Sequence, residues 1–395
     1  MPSTIEQLVC PTTDEHLRNS EGAVIELRDG SLLLAHTRFR AGSSSDFAPS
    51  DIVTCVSEDG AHTWSEPQIV ARGDDEQGNV LSASLLRLGS GSLALFYDRL
   101  AFIKGPGYST GNMDDIDCPH HRLMMSISED EGQTWSAPRD LNRRGEHSLV
   151  LLNDTAVRLS SGRLILPTYC GHSPHAPDPE FVQPILSDDD GQTWFPSDYR
   201  LGRRGGDLSE SSIVERADGS LLMTSRTGAG YLYACESRDQ GETWSKPSPT
   251  DLPASGTPTS LRRVPGSDDI VLLWNQVDNR EWMGGFGRHR LTAAISHDGG
   301  ATWTHRRNLE SLDDRTFIGP EQGGLRGEMG RITDQHARDE LRRELGLKPE
   351  GYMLAEYTSM IFVGDHAIIT YDVAPAPGCA LKLRVLPVGW FYEND

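Results

Sequence analysis

The stretch SEDEGQTWSAP, Ser128 to Pro138, is written nearly five times in one chain. The other copies are SEDGAHTWSEP from Ser57, SDDDGQTWFPS from Ser187, SRDQGETWSKP from Ser237 and SHDGGATWTHR from Ser296. The shared frame is S-x-D-x-G-x-T-W, and it uses five of the chain's eight tryptophans. Successive copies start 71, 59, 50 and 59 residues apart. That period is too long for a helical solenoid and suits one small sheet per repeat.

A second repeat lies between the copies. It reads SEGAVIELRDGSLLLAHTRF, LSASLLRLGSGSLALFYDRL, LNDTAVRLSSGRLILPTYC, LSESSIVERADGSLLMTSRT, GTPTSLRRVPGSDDIVLLWNQ and AEYTSMIFVGDHAIITYDV. Each is an apolar run, a turn rich in Gly, Asp or Ser, and a second apolar run, the signature of a β-hairpin. After most of them a further strand, such as DIVTCVS or RLMMSIS, leads into the tryptophan phrase. A unit is therefore hairpin, strand, phrase, strand. Six units predict an all-β, six-bladed β-propeller of four-stranded antiparallel blades, read as one domain over 1–395. The sixth unit has no phrase, and closing the ring calls for Ile5–Cys10 to pair with the chain-end run LKLRVLPVGWFY. One stretch breaks the pattern. RITDQHARDELRRELGL, Arg331–Leu347, has helical spacing at Ala337, Leu341 and Leu345 and predicts an inserted helix near 333–346.

The phrase has a structural explanation. The aspartate can accept from turn N–H groups, glycine permits unusual dihedrals, and the tryptophan buries a large area. D-x-D-x-G is also part of a calcium loop, but the downstream bidentate glutamate is missing from every copy. The first copy has Ala61 where the others have glycine.

The net charge is −21. It speaks against nucleic acid and against an anionic membrane surface as partners. No segment is long and apolar enough to span a bilayer. The N-terminus has no secretory pattern, so a cytoplasmic location is expected, or a secreted or periplasmic one if a signal has been removed. The six cysteines are scattered, with no zinc or disulfide spacing. His172 and His175 have metal-compatible spacing but no third ligand, so neither metal nor cofactor is expected. Oligomeric state is not legible.

The phrases resemble the Asp-boxes of the sialidase superfamily, a repeat that also occurs in non-catalytic propellers. The resemblance implies site residues in order. ESSIVERADGSLLMTSR supplies Glu210 and Arg226, and AEYTSM supplies Tyr357. GRHRLTAAISHDGGATW supplies Arg288 or Arg290, with Arg288 fitting better. RFRAGSSSDFAPSDIV offers Asp46, with Asp51 as second choice. One element departs. The family opens its first central strand with F-R-I-P, whose arginine helps grip a carboxylate, and this chain has RNSEGAVIEL. The lost arginine falls near Asn19 to Glu21. Arg18, Arg38 and Arg40 are the candidates to replace it, and Glu21 would repel an anion if it pointed inward.

The residues opening each inner strand would ring the axis: Glu21, Ser82, Asn153 or Asp154, Glu210, Thr257 or Thr259, and Tyr357. So polar a set at the ends of apolar strands calls for partners or a purpose. The resemblance implies a glycan substrate and a tyrosine nucleophile, an exception to the two-carboxylate scheme. Glu210 would take the Tyr357 proton, Asp46 would serve as acid and base, and Arg226 and Arg288 would hold a carboxylate. It implies an exo-glycosidase acting on a terminal acidic sugar. Two alternatives stay open, the first of them following from the missing arginine. One is a carbohydrate enzyme of other specificity, a non-sialic glycosidase or a lyase using His36, His147 and Tyr169. The other is a non-catalytic glycan-binding propeller.

Overall fold

The computed structural model describes residues 4–40, 42–74, 78–104, 116–142, 149–170, 181–202, 208–324, 332–346, 354–374 and 378–393, with backbone alone for 101–104 and 116–120. Six four-stranded antiparallel sheets are arranged as blades of a propeller. Blade I is Asn19–Glu26, Leu32–Phe39, Ser50–Ser57 and Gln68–Arg72. Blade II is Gly78–Arg87, Leu93–Lys104, Ile116–Ser128 and Arg139–Asp140. Blade III has short strands, Val157–Arg158, Leu164–Leu166, Ile185–Ser187 and Phe195–Pro196, with Leu149–Val150 pairing Tyr169–Cys170 nearby. Blade IV is Ser209–Glu215, Leu221–Arg226, Tyr231–Ser237 and Ser248–Pro253. Blade V is Ser260–Arg263, Ile270–Asn275, Leu291–Ser296 and Thr304–Glu310. Blade VI takes Leu354–Val363, His366–Ala374 and Ala380–Pro387 from the chain end and Ile5–Cys10 from its start. The predicted closure is therefore present, with Ile5 opposite Val385 and Gln7 opposite Leu383.

Each repeated phrase begins on the last residue of a blade's third strand: Ser57, Ser128, Ser187, Ser237 and Ser296. In the second copy the Asp130 carboxylate accepts from the Thr134 amide at 2.8 Å and its hydroxyl at 2.5 Å, and from the Ser128 hydroxyl at 2.8 Å. The Ser128 hydroxyl accepts in turn from the Gly132 amide at 2.8 Å. The glycine is needed twice over. Gly132 has φ +87°, and a Cβ there would lie 2.8 Å from Leu33 Cδ2 of blade I. Gly241 and Gly300 press in the same way on Ile165 and Leu222 of their preceding blades. The phrase thus fastens its own turn and docks it on the neighbouring blade. Ala61 also sits at positive φ, +76°, and its methyl enters the apolar cluster between blades VI and I.

Among the described residues, six large apolar clusters fill the six interfaces between blades. The five phrase tryptophans, Trp64, Trp135, Trp194, Trp244 and Trp303, each join a different one. In blade VI, which lacks the phrase, Trp390 and Phe391 of a 3-10 turn take that role. The inserted helix spans Gln335–Glu344, capped by Asp334. A short helix that the sequence pattern did not suggest, Asn279–Met283, is fixed by an Asp278–Glu281 capping box. The two meet where Arg342 donates to Gly284 O at 3.2 Å.

Replacing Gly132 with alanine is expected to cost about 2 kcal/mol in a denaturant titration, through backbone strain and overpacking on Leu33. The Asp130 carboxyl is held down at about 2 by its Thr134 and Ser128 donors. A carboxyl below its unfolded value stabilises above that value, and the contribution is lost as pH falls through about 2. Asp130→Asn should therefore lower Tm at neutral pH, with the difference from wild type vanishing on acidification towards pH 2.

Candidate functional site

The inner strands share one irregularity. Glu21, Ser82, Asp154, Glu210 and Tyr357 all have left-handed backbone, with φ between +38° and +61°. Pairing registers shift at this place in blades I, II, IV and VI. A bulge of this kind re-aims a side chain that would otherwise follow the pleat. In blade V the matching place, two residues before Ser260 as Glu210 is before Ser212, is Pro258, whose ring fixes φ negative.

Tyr357 donates its hydroxyl to Glu210 Oε1 at 3.4 Å. Arg226 Nη1 donates to the other oxygen, Oε2, at 2.6 Å. Burial and the neighbouring Glu210 raise the Tyr357 phenol well above its usual range. The hydroxyl is therefore protonated at rest and needs a base in contact to react. Arg288 Nη1 donates to Glu356 Oε1 at 2.6 Å, and the Arg288 carbonyl accepts from the Ala355 amide at 2.9 Å. Arg288, Arg226 and Glu356 all bear electrostatically on Tyr357, which places them in one group.

Of the three arginines expected near the first strand, Arg18 is the one bonded to Glu21 and Asp46. Arg18 lies over the Phe39 ring, 4.5 Å from its centroid, and its guanidinium bonds Asp46 and, at 3.2 Å, Glu21. Its charge reaches Glu356 and Asp372 as well. Glu21 is turned inward and buried; Oε2 accepts from the Ser82 amide at 2.8 Å and its hydroxyl at 2.9 Å. Burial raises the Glu21 carboxyl despite Arg18. Asp46 is the exposed partner of Arg18, with 69% of its side chain accessible. Its loop is anchored by Asn79, which donates to the Asp46 and Ala48 carbonyls at 2.6 and 3.1 Å.

Other candidates are placed elsewhere. Arg290 is fully buried, paired with Glu281 through both oxygens and with Asp313, so its charge is committed to a structural cluster with Arg315 and His289. Arg38 belongs with Cys10, His36 and Cys55, away from Glu21, and Arg40 is paired with Asp51 at 3.2 Å. Asp51 is wholly buried in that pair. Asn153 and Asp154 are cross-ring staples rather than free ligands. Asn153 donates to Gly22 O at 2.9 Å and Tyr357 O at 3.3 Å. Asp154 accepts from Arg262 of blade V at 2.5 Å and from the Met360 amide of blade VI at 2.9 Å. Thr259 is bonded to Thr224 at 2.7 Å and Thr257 to Ser255 at 2.8 Å, both buried. His36 is buried beside Cys10, 3.8 Å from its sulfur, and burial lowers its pKa to about 3. His147, His172 and His175 lie outside the described residues. Tyr169 does sit near Glu210 and Tyr357, its hydroxyl also raised well above the usual value by burial and by Glu210.

Sequence reasoning missed Asp98, Asp372 and Glu356. A signal for two of them was there. Glu210 and Arg226 are sixteen residues apart, and so are Glu21 and Thr37, and Ser82 and Asp98; Tyr357 and Asp372 are fifteen apart. Each second member stands opposite the residue just before a bulge. Asp98 and Asp372 are fully buried, and burial raises both carboxyls well above the usual range. Asp372 accepts from the Glu21 amide at 2.9 Å, fixing that bulge.

The staple yields a test. Burial pushes Asp154 up to about 6 while Arg262 opposes it. Arg262→Met leaves a buried carboxyl without its partner and is expected to cost about 3 kcal/mol at pH 8. A carboxyl raised above its unfolded value loses stability as pH rises between the two, so the deficit should shrink towards pH 4. Thermal denaturation across pH checks this.

A family model described as a BNR repeat-like domain matches residues 37–330. A sialidase from Bacteroides fragilis is 27% identical over 199 residues, covering 48% of this chain and 34% of that protein. A sialidase from Paraclostridium sordellii is 26% identical over 235 residues, 55% of each chain. The chain thus spans from about a third to a little over half the length of these two relatives. A solved structure of a protein of unknown function from Dyadobacter fermentans superposes with a TM-score of 0.70 at 16% identity, over 98% of this chain and 100% of that one. At that identity the likeness is one of fold.

Proposed function

From the premise that this chain belongs to the BNR repeat-like domain family, within the sialidase superfamily, we propose that it is a retaining exo-glycoside hydrolase in which Tyr357 is the nucleophile. The observation that carries this is the contact between the Tyr357 hydroxyl and Glu210, with Arg226 on the far carboxylate oxygen. The tyrosine hydroxyl thereby has a base in contact, and Arg226 holds that base in place.

In the first step the Tyr357 proton passes to Glu210 and the phenolic oxygen bonds to the anomeric carbon. The bond from that carbon to the leaving oxygen breaks, and Asp46 gives that oxygen its proton. In the second step Asp46 takes a proton from water, and the water oxygen replaces Tyr357 at the same carbon. The phenolate recovers its proton from Glu210. Arg226 fixes the orientation of Glu210 throughout, by a charge-assisted bond. The exposure of Asp46 suits a group that must meet the leaving aglycone and then water.

The rival lyase reading loses His36, which is buried away from Glu210 and held neutral. Tyr357→Phe should remove turnover of 4-methylumbelliferyl glycosides, sialoside included, while leaving Tm within a degree or two. Glu210→Gln should lower kcat by about 10²–10⁴-fold. Asp46→Asn should hurt an alkyl glycoside far more than a 4-nitrophenyl one, whose leaving group needs no proton. Undiminished turnover by Tyr357→Phe would end this reading.

A further inference from the structure

Among the described residues, three arginines bear on Tyr357 or its neighbour Glu356, and each already faces a carboxylate. Arg226 is bound to Glu210, Arg288 to Glu356, and Arg18 to both Glu21 and Asp46. Two of these carboxylates, Glu210 and Asp46, have work in the mechanism. Glu21 and Glu356 have none, and both are buried behind the arginines they touch. Asp372 and Asp98 add further acid behind them, Asp372 facing Arg18 and Asp98 facing Glu21. Among the described residues this group therefore has no guanidinium whose charge is uncompensated. The chain's net charge of −21 supplies no distant attraction for an anion.

We propose that this pocket takes a sugar without a carboxylate, and that Glu21 and Glu356 set this preference by neutralising Arg18 and Arg288 from beneath. The inference rests on the glycosidase reading for its site, and it departs from the acidic sugar that the family resemblance implies. A ligand carboxylate would demand charge from guanidiniums that Glu356 and Glu21 already answer, so it would gain little to offset its own desolvation. A hydroxyl makes no such demand. The guanidiniums have edges to offer, since Arg226 and Arg288 keep 29% and 32% of their side chains exposed. Those N–H groups can donate to sugar oxygens while the ion pairs stay whole.

A neutral nucleophile suits this charge balance. A carboxylate in the place of Tyr357 would meet Glu210 and Glu356 at close range, and repulsion and burial would hold it protonated and unreactive. The phenol avoids that cost, because the tyrosine–Glu210 pair carries one negative charge before and after the proton moves.

The test compares neutral and acidic ligands on the whole protein. Wild type, Glu21→Gln, Glu356→Gln and the double variant are assayed with 4-methylumbelliferyl hexosides, a hexosaminide, a glucuronide and a sialoside. Saturation-transfer NMR with the matching free monosaccharides gives binding independently of turnover. Wild type should bind and turn over neutral sugars in preference to both acids. Freeing the arginines should raise acid binding relative to neutral by about tenfold per removed carboxylate, the ratio that corresponds to ~1.4 kcal/mol. Wild type that prefers the glucuronide or sialoside would overturn the inference, as would binding of neither class. Tyr357→Phe separates the two readings. A sialoside preference lost in Tyr357→Phe would sink the neutral-sugar inference and keep the mechanism. Neutral-sugar turnover that survives Tyr357→Phe would keep the inference and sink the mechanism.

Discussion

The ring is closed by one antiparallel pairing between the two ends of the chain, Ile5–Cys10 against Ala380–Pro387. Every other feature depends on it. An open six-blade array would expose the faces of blades I and VI. Closure joins them through the cluster that contains Ile5, Val24, Leu34, Ile368 and Leu383. It also brings Glu21, near the start of the chain, onto Asp372, near its end, by a 2.9 Å hydrogen bond. The candidate site is drawn from blades I, II, IV, V and VI, so it exists only once the circle is complete. Loss of this pairing would separate Arg18 from the Tyr357 group.

Two kinds of turn divide the labour. The outer turns are fastened by a repeated Ser–Asp–Thr hydrogen-bond set and a tryptophan, and they press glycines onto the preceding blade. They hold blades at a constant spacing and have no place at the axis. The inner bulges carry the differences. One left-handed residue in five of the blades presents Glu21, Ser82, Asp154, Glu210 and Tyr357 from equivalent positions. Asp154 is then consumed in a staple across the ring, and with Asn153 it braces the backbone beneath Tyr357. The remaining bulge residues, Glu21, Ser82, Glu210 and Tyr357, differ from blade to blade in chemistry.

The charge pattern at the axis is the feature that most separates this chain from a simple anion receptor. Arginines and carboxylates are matched one against another, and each of the buried acids Glu21, Glu356 and Asp372 has an arginine drawing it towards ionisation against its burial. Matching buried charges in this way limits the desolvation cost of each. It also removes the free positive field that a carboxylate ligand would seek. A site can therefore keep a family's tyrosine and glutamate while answering to a different sugar.

Blade number, strand order, ring closure and the inserted helix were all legible in the sequence, because each rests on local periodicity or on a repeat that can be counted. The helix proved shorter, Gln335–Glu344, since the sequence pattern runs past its last hydrogen-bonded turn. Asn279–Met283 went unseen because five residues carry no periodicity. Glu210, Arg226 and Tyr357 could be named from the family resemblance, and the fold joins Arg226 and Tyr357 through Glu210. What the linear order could not settle was which way a side chain turns and what it meets. Arg288 and Arg290 are two residues apart on one chain, yet one joins the Tyr357 group and the other is locked against Glu281. Arg18 and Arg38 lie on adjacent paired segments, yet only Arg18 reaches Asp46 and Glu21. Repeats report on contacts that recur in every blade, and those are local. The partners of a single charge lie at no fixed separation, 28 residues for Arg18 and Asp46, 68 for Arg288 and Glu356, 108 for Arg262 and Asp154, and only the closed ring decides them.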